Sequence, residues 1–258
     1  MTRSITTPNK HTWVAGVLAA LFWLAVWQII SMVVAQEFLV PAPSVVAVTM
    51  WRLMGTTLFW KAAGLTLLRI FIGFAASVVI GCIAAVLTTQ LRIADFLLTP
   101  PLRIVRAAPI ASFIILALVW IKTEQVPSFI SFTMVIPLIW ANIEKGIRQT
   151  DPKLLEMAQV FHFSPLKTLL KIRIPSVMPY FMAACTSGLG FAWKAGISAE
   201  VICRPAFSIG RQLQEAKIYL ETPEVFAWTI TVVVLSILLE KGLIALTERF
   251  SSHPVTKE

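Results

Sequence analysis

The sequence predicts an all-α integral membrane protein with about six transmembrane helices. Of its 258 residues, 57% are hydrophobic and only 14% are charged, whereas soluble domains usually carry about 25% charged residues. Six long apolar segments follow one another along the chain, and a helix needs only about 20 apolar residues to cross a bilayer core of about 30 Å. No shift in composition marks a second domain, so the segments are expected to form one transmembrane domain.

The six segments differ in how polar residues interrupt them. The first has no charged residue, and its apolar core is longer than that of a cleaved signal peptide. An uncleaved anchor is therefore expected, although Val33-Val34-Ala35 resembles a cleavage site. The third is interrupted by prolines and arginines, and the sixth carries charges near its end. The segments comprise residues 13–35, 70–90, 96–121, 125–143, 174–193 and about 225–246.

The basic residues predict that both chain termini are cytoplasmic. Loops rich in Lys and Arg stay on the cytoplasmic side of a membrane, and the richest loop lies between the fourth and fifth segments. Residues 1–12 and 251–258 then form cytoplasmic tails around a single transmembrane domain, 13–250, whose cytoplasmic loop covers 145–174. Other connections on the opposite side are also basic, so the predicted orientation depends on this loop and its residues Lys145, Arg148, Lys153, Lys167, Lys171 and Arg173.

Two classes of function receive no support from the sequence. The net charge of +9 is better explained by cytoplasmic loops and lipid headgroups than by nucleic acid, since no basic, aromatic-interleaved module is present. His11, His162 and His253 all lie outside the apolar segments, and no hydrolase, zinc-protease or P-loop motif occurs. The chain is therefore expected to be neither an enzyme nor a metal-binding protein.

Small residues recur every four positions in the second and fifth segments. At this spacing they lie on one helix face and let two backbones approach closely, which is a main way in which helices associate in lipid. The pattern predicts two packing stripes inside a helical bundle, formed by Gly73, Ser77, Gly81 and Ala85 in one segment and by Ala184, Gly188 and Ala192 in the other.

Four charged residues, Arg103, Arg106, Lys194 and Glu200, fall in or beside apolar segments. Charges are costly in hydrocarbon and usually face a cavity, a partner or the interface. Two interpretations stay open: they lie at the ends of spans, or they line a translocation pathway or its gates. Pro100, Pro101 and Pro109 are expected to break the third segment around its arginines. This favours the pathway, because broken helices are tolerated where the backbone lines a cavity.

The loop between the fourth and fifth segments reads as a pair of short helices. Pro152 suits a first helical turn, with Thr150 or Asp151 as its cap, and Ser164-Pro165 starts a second helix. Apolar residues recur along both helices at helical spacing. Such a projecting helix pair suits insertion into a groove on a partner, and an amphipathic element lying on the membrane surface is the alternative.

The same loop carries a spaced motif. Glu156-Met157-Ala158, His162 and Ile172-Arg173-Ile174-Pro175 resemble the signature of permease subunits of ATP-binding-cassette (ABC) importers: E-A-A, three residues, G, nine residues, I-x-L-P. Residues from about 15 to 250 resemble the nitrate/sulfonate/taurine branch of that family. The matching positions are Thr66, Arg69 and Gly73, Arg106 and Pro109, Ala192-Trp193 with Ala199-Glu200, and Ser208-Ile209-Gly210.

The resemblance implies a type I ABC importer permease of the bacterial inner membrane. A separate ATPase would bind ATP and Mg, leaving this chain without a cofactor. An external solute-binding protein would deliver a small solute, and a second permease subunit would complete a dimer, expected to be a homodimer. The residues implied to couple to the ATPase are Glu156, Met157, Ala158, Phe161, His162, Ser164, Pro165, Ile172 and Pro175.

His162 is the main departure from this signature, which has glycine there. Glycine readily adopts a positive φ, and His is among the residues somewhat enriched in that conformation. The sequence leaves open whether the turn is kept or replaced by continuous helix.

A membrane scaffold or channel-like protein that docks an unrelated cytoplasmic partner is the alternative function.

Overall fold

The computed structural model describes the backbone of residues 10–251 and the side chains of residues 14–245. Residues 1–9 and 252–258, which form most of the two predicted tails, lie outside the described residues. Within the described part every regular element is helical. In chain order the helices are α1 (Lys10–Val34), α2 (Pro43–Met54), α3 (Thr57–Gln90), α4 (Arg92–Ala107), α5 (Ile110–Ala117), α6 (Val126–Arg148), α7 (Pro152–Val160), α8 (Pro165–Thr168), a π-helical turn (Leu169–Arg173), α9 (Ile174–Cys203), α10 (Ile209–Ile218) and α11 (Thr222–Ser251).

The predicted all-α membrane fold is confirmed, although the number of helices that meet the length and hydropathy expected of a span is four or five. In the described part of the chain these are residues Val14–Val34 of α1, then α3, α6 and residues Thr222–Ala245 of α11. Helices α4 and α5 count as a fifth if the bent pair is one span. Helix α9, the remaining predicted span, has 30 residues but is rich in small and polar side chains.

Two spans extend well beyond their predicted ends. Helix α3 begins at Thr57, 13 residues before the predicted start at residue 70, and α9 continues past residue 193 to Cys203. The predictions marked runs without charged residues. A helix continues beyond such a run because its backbone hydrogen bonds do not require apolar side chains, and the extensions contain Lys61, Arg69 and Lys194.

The third predicted segment is broken only at Pro109. Pro100 and Pro101 lie inside α4 without ending it, so the prediction that all three prolines break the helix is wrong. Ala108, which precedes Pro109, has the extended values φ −82° and ψ 144°, as the steric effect of a following proline favours. Helix α5 then leaves at 109° to α4.

The first small-residue stripe lies against α6. A Cβ added at Gly73 would stand 2.2 Å from the Ser128 carbonyl oxygen, and one added at Gly81 would stand 2.9 Å from Ile139. Ser77 donates a 2.8 Å hydrogen bond to the Phe132 carbonyl. Glycine and serine therefore set the distance between α3 and α6, and Ala85, further along the same stripe, is fully buried.

The second stripe lies on α9 and also faces α6. A Cβ added at Gly188 would stand 3.2 Å from Val135, and Ala184 and Ala192 are fully buried. The buried Ser131 hydroxyl of α6 donates to the Ala192 carbonyl at 3.1 Å. This contact gives a polar group in the bundle interior a partner, where an unsatisfied one would be costly.

These helices belong to the larger of two compact units, formed by Trp60–Arg211 and the described residues from Thr231 onward. Inside it, α5 packs on α6 and α9 around an apolar core. The fully or nearly fully buried residues of this core are Ile114, Ala117, Val126, Ile130, Met134, Ala195 and Ala199.

The smaller unit comprises the described residues up to Phe59 together with Gln212–Ile230. Trp27 stacks on Phe226 with ring centroids 5.5 Å apart, and Phe59 stacks on the buried Trp228 at 5.2 Å. These aromatic pairs join the early helices of the chain to the start of α11. Most apolar side chains of α1 are exposed, as expected of a helix that faces lipid.

Candidate functional site

The segment 150–175 begins with a capped helix. The Asp151 carboxylate accepts a 2.9 Å hydrogen bond from the Lys153 N–H, and Pro152 occupies the first turn of α7. A side-chain oxygen at this position satisfies one of the backbone donors that a helix start leaves free, while proline loses no needed donor there. Of the two caps that the sequence allowed, the structure therefore uses Asp151.

His162 keeps a left-handed turn between the two helical pieces, with φ 50°. The Phe163 N–H donates to the Ala158 carbonyl at 2.8 Å and the His162 N–H donates to the Gln159 carbonyl at 3.0 Å. This pair of bonds is the Schellman pattern, which usually places glycine at the left-handed residue. The continuous-helix alternative is excluded in this conformation.

Replacing His162 by Val is expected to loosen this turn, because a β-branched residue is strained at positive φ. The left-handed conformation would then cost about 1 kcal/mol more than with His, which corresponds to about fivefold faster local opening. Hydrogen–deuterium exchange of the Phe163 amide measures this opening, and His162→Gly serves as the control that retains protection. Equal exchange in the Val and Gly variants would contradict the assigned role of the turn.

A proline shapes the second half of the segment. Helix α8 begins with the Ser164 hydroxyl accepting a 3.3 Å hydrogen bond from the Lys167 N–H. Pro175 has no N–H to donate to the carbonyl four residues earlier. The preceding backbone instead forms the π-helical turn, in which the Ile174 N–H donates to the Leu169 carbonyl, and the chain continues directly into α9.

The motif residues of this segment divide into an exposed set and a buried pair. Ala158 and Ile172 are buried and are therefore not available to a partner. The residues with exposed side chains are Glu156, Met157, Phe161, His162, Ser164, Pro165 and Pro175. Val160 and Leu166, with exposed fractions of 75% and 65%, extend this surface. The motif does not include them, and only their apolar character on a predicted surface helix could have indicated them from the sequence.

A cavity of about 540 Å³ connects the segment to the ends of three long helices. Leu155, Leu169 and Arg173 line it from the segment side. Apart from Thr150, the remaining lining comes from α3, α6 and α9, and includes Val86, Ile143, Ile147, Val177 and Phe181. Leu155 of α7 therefore faces the same cavity as the ends of α3, α6 and α9.

The predicted pathway residues lie in different environments. Arg106 lines a cavity of about 410 Å³ beside the break between α4 and α5. The opposite wall includes Pro137 of α6 and Ser187 of α9. Pro109 is exposed at the break itself, and Arg103 and Lys194 are exposed on α4 and α9. The structure thus brings Arg106 and the break together and leaves Arg103 and Lys194 outside this cavity's lining.

Glu200 has a different environment from the other predicted pathway residues. Its side chain is fully buried. Both carboxylate oxygens lie 2.9 Å from the Thr66 hydroxyl, and the Arg69 guanidinium is 3.6 Å away. The three residues belong to sequence patterns that are far apart in the chain, so only their shared family resemblance could have indicated the cluster.

The described helices include four or five candidate membrane spans, with the helical segment 150–175 between α6 and α9. Residues 77–250 match the family described as the binding-protein-dependent transport system inner membrane component. The chain belongs to this family and is a permease subunit of an ABC importer, a transport component rather than a catalyst. This family match confirms the resemblance that the motifs indicated. The sulfonate and bicarbonate permeases among the relatives support the same branch of the family.

Named relatives extend over most of the chain. The permease SsuC of Bacillus subtilis, named for transport of aliphatic sulfonates, is 24% identical over 93% of this chain and 87% of its own length. The bicarbonate transport system permease protein CmpB of Synechocystis is 26% identical over 72% of this chain and 66% of its own. The crystal structure of an amino acid ABC transporter with histidines superposes with a TM-score of 0.61 at 16% identity, covering 75% of this chain and 92% of that one, and shows the type I importer fold.

Proposed function

We propose that this permease forms the translocation pathway of an importer and that segment 150–175 couples it to a separate ATPase. The observation that carries the proposal is the exposure of most motif residues on segment 150–175. A chain of this family presents the spaced motif from Glu156 to Pro175 on two capped helices, with Phe161 exposed by 68%. An exposed apolar helix face with polar neighbours suits a groove on a soluble partner.

The partners follow from this assignment. ATP and Mg bind to a partner chain, since this sequence contains no P-loop. Two such ATPase subunits are proposed, one for each permease. An extracytoplasmic binding protein delivers the solute, and a second copy of this chain completes the pathway. Segment 150–175 then faces the cytoplasm together with both termini, which agrees with the six basic residues of loop 145–174.

The proposed mechanism is alternating access without bond chemistry in this chain. Closure of the ATPase dimer displaces α7, the first helix of segment 150–175. Leu155 and Leu169 share a cavity lining with α3, α6 and α9, so the displacement reaches all three spans. The opening at the opposite side then changes because packed helices move as rigid elements.

We further propose that the solute is a small anion. The names of two relatives refer to sulfonates and bicarbonate, which are both small anions. In this chain Arg106 lines the cavity at the broken span, where a guanidinium can bind carboxylate, sulfonate or nitrate oxygens through charge-assisted hydrogen bonds. Pathway roles for Arg103, Pro109 and Lys194 remain predictions.

Reconstitution tests the proposed function directly. The permease is co-expressed with its ATPase, inserted into proteoliposomes and supplied with the purified binding protein, whose bound ligand is identified by mass spectrometry. The proposal requires co-purification of the ATPase and uptake that depends on ATP and on the binding protein. Uptake without ATPase, or purification with an unrelated cytoplasmic partner, would favour the channel-like alternative.

Replacing Arg106 by Gln is expected to lower uptake of an anionic solute about tenfold, the effect of losing roughly 1.4 kcal/mol of interaction with the anion. Binding to the ATPase should be unchanged, because Arg106 lies outside segment 150–175. Initial uptake rates in proteoliposomes measure the effect. Arg92→Gln is the matched control, since Arg92 is an exposed arginine at the first residue of the same helix. Equal loss in both variants would remove Arg106 from the solute path.

A further inference from the structure

The turn between α9 and α10 has an unusual backbone. Within residues 204–208, Arg204 and Phe207 have positive φ values of 52° and 49°. Such values are uncommon for residues other than glycine, and for bulky side chains they indicate strain that the surroundings must hold in place. Phe207 is nevertheless half exposed, so its own side-chain packing does not account for the conformation of the turn.

Arg69 of α3 holds this turn by its carbonyl groups. Its guanidinium donates to the Ala206 carbonyl at 2.9 Å and to the Phe207 carbonyl at 3.4 Å. The Arg69 side chain is only 14% exposed, and hydrogen bonds from a charged donor are stronger than neutral ones. One arginine therefore fixes the two successive peptide groups on either side of the Phe207 Cα atom.

Thr66 and Glu200 hold the start of α10. The Thr66 hydroxyl donates to Glu200 and accepts a 3.1 Å hydrogen bond from the Ile209 N–H. The Gly210 N–H donates to the same carboxylate at 3.2 Å. A Cβ added at Gly210 would stand 2.4 Å from the Cβ of Glu200, so only glycine permits this approach.

The geometry makes contact between Glu200 and a passing solute impossible in this conformation. The carboxylate has no exposed surface, and its oxygens are directed at Thr66, Gly210 and Arg69. A buried carboxylate is tolerated because an arginine and two hydrogen-bond donors surround it, and removing one of them is destabilising. Its position is therefore that of a group that holds other groups in place.

We propose that Thr66, Arg69 and Glu200 form a clasp that holds turn 204–208 and the start of α10 in one conformation, and that they serve transport as positioning residues. Glu200 lies 25 residues after Pro175 on α9, about 38 Å along a helix. The clasp is thus at the opposite side of the membrane from segment 150–175. This inference rests on the proposed function in one respect: that side is where the binding protein delivers its solute.

A spin label tests the clasp independently of transport. A single cysteine replaces Phe207 in a chain whose Cys82, Cys185 and Cys203 are changed to Ala, and the label's mobility is measured by EPR. Thr66→Val is nearly isosteric but removes the hydroxyl, and it should increase the mobility. Thr66→Ser keeps the hydroxyl and should match the parent. Unchanged mobility in the Val variant, with a normal gel-filtration profile, would overturn the clasp.

A second variant covers failure of Thr66→Val to fold. Arg69→Lys retains the positive charge but cannot bond both carbonyls as the guanidinium fork does, and it should also mobilise the label. An immobile label in this variant would overturn the assigned role of Arg69 and with it the clasp.

Transport kinetics supply the functional measurement. With Thr66→Val we expect a severalfold higher half-saturating concentration of loaded binding protein, with ATPase association and basal ATP hydrolysis unchanged and recovery in Thr66→Ser. A lower maximal rate without this shift would overturn the positioning role. If the parent chain shows no ATP-driven uptake while the label still responds to Thr66→Val, the proposed function fails and the clasp stands.

Discussion

Replacing Glu156 by Arg is expected to abolish co-purification with the ATPase and ATP-driven uptake. Glu156 is exposed on α7 and is the acidic residue of the motif in the proposed coupling segment. A partner groove that accepts this carboxylate must offer it positive charge or hydrogen-bond donors. An arginine would face those groups with like charge, which costs several kcal/mol at an interface and weakens binding about a hundredfold or more.

Pull-down of the ATPase by the tagged permease measures the effect. The matched control is Glu124→Arg, which makes the same charge change at an exposed acidic residue just before α6. Segment 150–175 follows the other end of α6, about 35 Å away along a helix of 23 residues. Normal ATPase recovery and uptake in Glu156→Arg, or equal losses in both variants, would show that α7 is not the coupling helix.

The sequence predicted most reliably those features that depend on neighbouring residues. The helix start at Pro152, with its cap at Thr150 or Asp151, and the second start at Ser164 each depend on residues within one helical turn. They appear in the structure as predicted. The spacing of small residues in the two stripes is also local, and it marked the faces on which α3 and α9 approach α6.

Features that depend on distant residues could not be predicted in the same way. The hydrogen bond between Thr66 and Glu200 joins positions 134 apart, and neither residue indicates its partner by spacing. The sequence therefore placed Glu200 among residues that line a pathway or end a span, whereas its burial follows from α3 and α10. Likewise, the three prolines of the third segment look alike in sequence, but only Pro109 follows a residue with an extended backbone.

The turn at His162 lies between these cases. The family signature has glycine at this position, which readily adopts a positive φ, and the sequence left open whether His162 keeps the turn; in the structure it does, with φ 50°. Two local hydrogen bonds close the turn, so the backbone pattern compensates for the less suitable side chain. A sequence motif can therefore retain its geometry after its most specific residue has changed, provided that the bonds that define the turn are made by the backbone.

Replacing Gly73 by Ala is expected to destabilise the bundle more than the same replacement at either of the other two glycines of α3. The new Cβ would stand 2.2 Å from the Ser128 carbonyl oxygen and 3.0 Å from the Phe132 backbone nitrogen. Backbone atoms cannot rotate away, so α3 and α6 must separate. Overpacking of this kind costs up to about 3 kcal/mol, which corresponds to a fall of about 5–10 °C in unfolding temperature.

Two glycines of the same helix complete the comparison, measured by tryptophan fluorescence during heating in detergent. Gly64 has nothing within 4 Å of an added Cβ, so Gly64→Ala should stabilise the helix by about 0.5–1 kcal/mol. At Gly81 the nearest atoms are the Cβ and Cγ2 of Ile139 at 2.9 Å. This approach is less close than the 2.2 Å at Gly73, so Gly81→Ala should fall between the other two. A different order of unfolding temperatures would mean that the Gly73 stripe does not set the distance between α3 and α6.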